Sequence, residues 1–228
     1  AVVTVTYDAS SSDSKKIKDA NGNAVVDVTV GQSVTVTNDV SAPTVTSVSS
    51  DQAAGTYGIG TVIPIKVTFS EAVNVGGTPT LELETGTTDA TAAYASGTGT
   101  DTLIFNYTVA ANHVASDLDY KATTSLKLPT GGDTIRDNLS TNGTLTLATP
   151  GAANSLGHSE AIVIDGVRPT FSGYAANAGT KTITITASEV VSGTPDATDF
   201  TVTAGGSANT VTAAVVATNN NTSTITLT

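Results

Sequence analysis

The chain has no cysteine, no methionine and no tryptophan. Without cysteine there is no disulfide, no thiolate metal ligand and no thiol nucleophile. Without methionine, Ala1 is expected to be a processed or truncated start and not the first translated residue. Positive charge is scarce: 9 Lys+Arg stand against 20 Asp+Glu, a formal net charge of −11. Phosphate backbones demand clustered Lys and Arg, so nucleic acid is not an expected partner. An acidic surface favours cations and solubility instead. No apolar run approaches the ~20 residues of a membrane-spanning helix. Aromatics make up only 4% of the chain, which leaves few flat platforms for stacking on sugars.

Thr, Val, Ala, Ser and Gly fill the space. β-Branched residues suit pleated sheets, and a surface of Thr and Ser hydroxyls with few lysines points to an extracellular stalk. Period-2 alternation marks short strands at 3–7, 33–37, 44–48, 62–69, 80–84, 103–109, 145–147, 162–164, 181–186, 200–203 and 222–228. Turn clusters separate them, among them Gly76-Gly77-Thr78-Pro79, Gly97-Thr98-Gly99, Gly131-Gly132-Asp133 and Asn219-Asn220-Asn221. No segment holds a helical period; at most one turn is expected near 110–117. Many short strands with frequent turn signals predict an all-β fold of antiparallel sandwiches.

Two segments read as linkers. Asn38-Asp39-Val40-Ser41-Ala42-Pro43-Thr44 and Asp165-Gly166-Val167-Arg168-Pro169-Thr170 each run from an acidic residue to a Pro-Thr step that opens a strand, and the steps lie 126 residues apart. Proline fixes φ and stiffens such a junction. Other motifs also recur. Ser70-Glu71 and Ser188-Glu189 each follow an apolar strand. Ile17-Lys18-Asp19 and Ile135-Arg136-Asp137 are each followed by an Asn-Gly, at 21–22 and 142–143. Recurrence at this scale is the mark of a repeat architecture. The expected organisation is a complete sandwich at 42–168, the back half of a repeat at 1–40 and a front half at 169–228.

These residues resemble the bacterial immunoglobulin-like (Ig-like) repeats of giant surface adhesins and surface-layer proteins. The central unit carries Ala42-Pro43-Thr44-Val45, Gly55-Thr56-Tyr57, Val67-Thr68-Phe69-Ser70-Glu71-Ala72-Val73 and Thr80-Leu81-Glu82-Leu83. The flanks are similar to the two halves of a related repeat in cyanobacterial swimming-motility surface proteins, through Asp199-Phe200-Thr201-Val202-Thr203 and Val34-Thr35-Val36-Thr37-Asn38. The resemblance implies tandem Ig-like β-sandwiches at the cell surface. Relatives often place Asp before the Gly-Thr-Tyr, where this chain has Ala54.

Carboxylates near the linkers are the candidate chemistry. Calcium takes six to eight oxygen ligands and needs several Asp or Glu together. If the first strand leaves the linker and the second returns to it, Glu71 lies near Asp39. By the same strand order Asp117, Asp119, Asp165 and Glu189 meet at the second junction, a plan similar to cadherin junctions. Solvated turn carboxylates are the plainer alternative. Asp19-Ala20-Asn21-Gly22-Asn23 has alternating oxygens but lacks the downstream Glu of a calcium loop. His113 and His158 sit in no catalytic motif, and there is no nucleophile elbow or phosphate loop, so an enzyme is not expected. The expected role is a structural segment of an extracellular bacterial protein (adhesin stalk, surface layer or fibre) whose partners are neighbouring repeats or head-to-tail copies of itself. Strand complementation would pair 222–228 of one copy near 2–7 of the next. A carbohydrate- or ice-binding module is the alternative, through the Thr-rich strand 182–186 and a surface glycan.

Overall fold

The computed structural model describes residues 2–4, 35–37 and 41–228 other than 205, 220 and 221. At the N-terminal end β1 (Val2–Thr4) pairs antiparallel with β2 (Thr35–Thr37), Val3 opposite Val36.

The central unit opens with β3 (Val45–Ser50), β4 (Gly55–Gly58) and the long β5 (Val62–Gly76). It continues through β6 (Thr80–Glu84), β7 (Ala90–Ser96) and β8 (Thr100–Thr108). Four short strands follow: β9 (Val114–Ala115), β10 (Asp119–Tyr120), β11 (Leu126–Lys127) and β12 (Thr134–Arg136). After α1 (Leu156–Ser159) comes β13 (Ile162–Asp165). The main sheet runs β10-β6-β7-β8-β5-β12, with β3 also on β5 and β11 on β6. A second sheet, β4-β13-β9, contains one parallel pairing, β4 with β13. The first two strands of the unit are therefore split, β3 joining one sheet and β4 the other.

Alternation decides what lies between the sheets. Along β5, Ile63, Ile65, Val67 and Phe69 point inward, and along β8 Leu103, Phe105 and Tyr107 do the same. Leu81 and Leu83 of β6 and Ile162 and Ile164 of β13 complete one contiguous core. Each such side chain, fully buried, contributes roughly 1.5–3 kcal/mol. The helical turn expected near 110–117 is absent. Asn112 has φ 66, a left-handed conformation that stops a helix, and the chain turns straight into β9. Among the described residues the α-helical turn lies at α1 instead. The expected strand at 145–147 is also not formed, although Leu147 is buried in the core.

The C-terminal unit contains β14 (Phe171–Asn177), β15 (Thr182–Ala187), β16 (Val202–Ala204), β17 (Ser207–Asn209), β18 (Ala214–Asn219) and β19 (Thr222–Leu227). Its sheet is ordered β14-β15-β19-β18, all antiparallel, with β16-β17 a separate hairpin. Thr184 and Thr186 stand opposite Thr226 and Thr224, so one face carries hydroxyls. The other carries Ile183, Ile185, Ile225 and Leu227, with Tyr174 opposite Ile185. The molecule is thus all-β and built of antiparallel sheets apart from the β4–β13 pair. Among the described residues no helix is long and apolar enough to cross a membrane.

Candidate functional site

The two Pro-Thr steps make the same local structure. Thr44 N–H donates to Ser70 Oγ at 3.0 Å, and Ser70 N–H donates back to the Thr44 carbonyl at 2.8 Å. Thr170 N–H donates to Ser188 Oγ at 2.9 Å, and Ser188 N–H to the Thr170 carbonyl at 2.7 Å. Two residues further on, each opening strand carries a bulge closed by a hydroxyl: Thr46 Oγ1 donates to the Thr68 carbonyl at 3.0 Å, Ser172 Oγ to the Thr186 carbonyl at 3.2 Å. A bulge leaves one residue without a ladder partner. Here a side chain makes up the missing bond. The serine of each Ser-Glu motif is the acceptor that locks the first strand onto the second. This places Glu71 and Glu189 in equivalent positions beside the clamp.

The second recurring motif has its own task. Ile135 is buried on β12 against the end of β5. The Asp137 carboxylate accepts N–H bonds from Thr141 at 2.7 Å and Leu139 at 2.8 Å, and Arg136 Nε donates to Asn142 Oδ1 at 2.8 Å. This tight loop delivers Thr144, whose N–H donates to the Pro43 carbonyl at 2.8 Å. The late motif of the unit thereby docks on the unit's own Pro-Thr step.

Two of the predicted carboxylates accept bonds from backbone amides. Asp119 accepts from its neighbour Tyr120 N–H and from Gly151 N–H, both at 2.8 Å, and stands opposite Glu84 on β6. Asp165 Oδ1 accepts from Val167 N–H at 3.1 Å, closing a local turn at the linker. Asp117 is exposed, while Leu118 beside it is fully buried with its N–H on the Ile162 carbonyl. Glu189 is half-buried next to its clamp. Among the described residues no three Asp, Glu or His side chains gather where they could hold a metal ion. The other junction is different in part. The second strand does return to the linker, which brings Glu71 to Thr44, while Asp39 lies outside the described residues, as does the loop at 19–23.

His113 packs against a tyrosine, while His158 is exposed. His113 Nδ1 lies 3.0 Å from the Tyr107 hydroxyl, and the two rings stack at 5.8 Å. His158 sits in α1, its N–H on the cap Ser155 Oγ at 3.3 Å. The sequence pattern alone does not single out the ion pairs that edge the β6 sheet: Lys127 with Glu82 at 2.5 Å, and Lys121 with Asp89. The Asp89 carboxylate, first by hydrogen bond and then by charge, raises the Lys121 ammonium above its ordinary value. Alternating Glu82 and Glu84 on β6 is the signal that could have found them.

No family model, curated protein or solved structure matches this chain. The chain's internal correspondences are the comparison that remains.

Proposed function

We propose that this chain is a structural segment of an extracellular bacterial protein, a spacer of tandem Ig-like sandwiches in an adhesin stalk, surface layer or fibre. The recurrence of the strand clamp supports it: Thr44 with Ser70 and Thr170 with Ser188 share donors, acceptors and the adjoining bulge. Two units that begin by the same device and follow one another through short Pro-containing linkers fit a quasi-one-dimensional array, in which each unit contacts its neighbours. The Thr- and Ser-rich acidic surface suits exposure to solvent outside the cell. This reading does not rest on calcium at the second junction: among the described residues Asp119 and Asp165 bond to nearby backbone amides and no three acidic side chains gather to hold a metal ion.

One observation favours a second reading. Thr184, Thr186, Thr224 and Thr226 form paired hydroxyls on one face of the C-terminal sheet, a surface that could meet a glycan or ice. Antibody labelling of intact producing cells, beside a glycan array and an ice-recrystallisation assay with the full chain, separates the two. Surface label with a silent array supports the spacer. Label confined to the cell interior overturns it, and specific glycan or ice binding replaces it with the second reading.

A further inference from the structure

We propose that β18, an outer strand of the C-terminal sheet, is an interface through which two copies of this chain pair edge to edge into a closed dimer. The contact does not depend on the spacer reading; on that reading it joins neighbouring copies side by side.

A strand at the edge of a sheet presents unpaired N–H and C=O groups to any chain that can reach them. Proteins blunt such edges with short strands, charge, proline or bulges. The central unit uses several of these devices. Its main sheet ends on one side at β10 and β11, two residues each, flanked by charge at Asp119, Lys121 and Lys127. On the other side lie the three-residue β12, which carries Arg136, and the bulged β3. In the C-terminal sheet β14 carries a bulge between Phe171 and Gly173. The opposite edge, β18, has none of these protections. It runs for six residues, Ala214–Asn219, in unbroken register along β19, with no charge and no proline. It pairs with β19 alone, and among the described residues no loop backbone bonds to its outer side. Val215 is 59% exposed.

Charge points to the same strand. A net charge of −11 sets copies against one another. Residues 200–228, however, contain no Asp, Glu, Lys or Arg. At β18 two copies meet without bringing like charges together. A short, uncharged, proline-free segment with three β-branched residues is suited to strand addition.

The partner that fits is the same strand of a second copy. Antiparallel pairing about a two-fold axis uses one edge from each copy and closes after two. Val215 and Ala217 stand opposite Thr226 and Thr224 on the hydroxyl face, and Val216 stands opposite Ile225 on the apolar face. Setting Val216 opposite its counterpart puts Val215 opposite the second copy's Ala217. That register keeps like faces on one side of the joined sheet and brings apolar side chains together across the contact.

Sedimentation of the full chain over a concentration series tests this. The series should reach roughly 1 mM, because six paired residues bury less than a standard interface. Two double variants at exposed positions accompany it, Val215→Glu with Ala217→Glu and Val215→Lys with Ala217→Lys. Wild type should pass from 22.6 kDa to twice that mass and stop. Each double variant alone should stay at 22.6 kDa, since like charges then stand opposite each other. An equal mixture should regain the doubled mass, each pair joining one acidic and one basic copy. Circular dichroism checks that both variants fold. Amide hydrogen exchange of wild type needs no variant: it should slow in β18 as concentration rises and stay constant in β14. Wild type that remains a monomer throughout overturns the proposal, and so does growth beyond two copies. A dimer with unchanged exchange in β18, a double variant that dimerises alone, or a folded mixture that stays monomeric overturns it as well. A monomer leaves the spacer reading standing, since that reading fails on cell-surface label or glycan binding.

Discussion

Among the described residues Tyr107 and Tyr120 are the two largest fully buried side chains, and each has its hydroxyl satisfied, one beside His113 Nδ1 and the other donating to the Ala148 carbonyl at 2.6 Å. Burial pushes both phenols from 10.0 up to about 12, with the Asp119 charge adding to Tyr120. Between those values the unfolded chain has released protons that the folded chain still holds. The contribution is therefore fully present below pH 10 and is lost as pH rises to about 12. Alkaline unfolding followed by circular dichroism together with tyrosinate absorbance should show Tyr107 and Tyr120 ionising only as the fold is lost. Tyr120→Phe should cost about 1–2 kcal/mol at neutral pH, since it strands a carbonyl, and should shrink the alkaline loss. Ionisation of Tyr107 and Tyr120 before the fold is lost would contradict this. Tyr107 lies in the alternating strand read at 103–109, so its burial was legible; Tyr120 lies in no strand read from the sequence. Asp133 shows the limit. In sequence it is the end of a Gly-Gly-Asp turn, yet its carboxylate accepts from Thr130 N–H at 2.9 Å and from Thr78 N–H at 3.1 Å, 55 residues away. Those bonds hold it below its ordinary value, and nothing local announces so distant a partner.

Strands rich in Val and Ile with clean alternation, such as β5 and β8, are legible because a buried face and a polar face imprint a period of two. β7 is not, because Ala90, Ala92 and Ala93 have weak strand preference; its place comes from pairing with β6, where Ala92 meets Leu81 and Ala90 meets Leu83. The two glycines of β4 hide it in the same way. The Ser-Glu motif is visible in the sequence, but there the glutamate draws attention as a cation ligand, while in the fold the serine makes the clamp. Ser70→Ala should cost about 0.5–1.5 kcal/mol in urea denaturation, by leaving the Thr44 N–H without its acceptor. Ser188→Ala should loosen the C-terminal unit alone. An unchanged midpoint for Ser70→Ala would reduce the clamp to a coincidence of geometry. The turn between β7 and β8 gives a sharper contrast. Gly97 has φ +108, and a Cβ there would lie 2.1 Å from the Thr102 carbonyl oxygen; Gly99 has φ +82 with open space around it. Gly97→Ala should thus cost roughly 2–3 kcal/mol and Gly99→Ala about 1, a difference that thermal melts of the two variants resolve.

At the scale of the whole molecule, the strand alternation that the sequence shows runs through one core from Val48 to Ile164. Where the carboxylates sit was not legible, since it depends on strand order and on which backbone amides reach each oxygen first. Asp165→Asn and Asp119→Asn should accordingly leave any calcium response of the melt unchanged, while a response abolished by Glu71→Gln would place the ion at the first linker. The difference in burial between units carries the last expectation. In the central unit the inward residues of β5, β8, β6 and β13 are within 2% of complete burial. In the C-terminal unit the buried apolar residues among those described are Ala187, Ile225 and Leu227. A unit with so little apolar area removed from water opens at lower free energy, and proteases cut what opens. Limited proteolysis of dilute chain should therefore cleave first within 169–228 and leave a fragment containing 41–168 whose melting temperature matches that of the central unit in the intact chain. First cuts between β5 and β8 would instead mean that the central core is the weaker one, and that the burial on its strands does not translate into local stability.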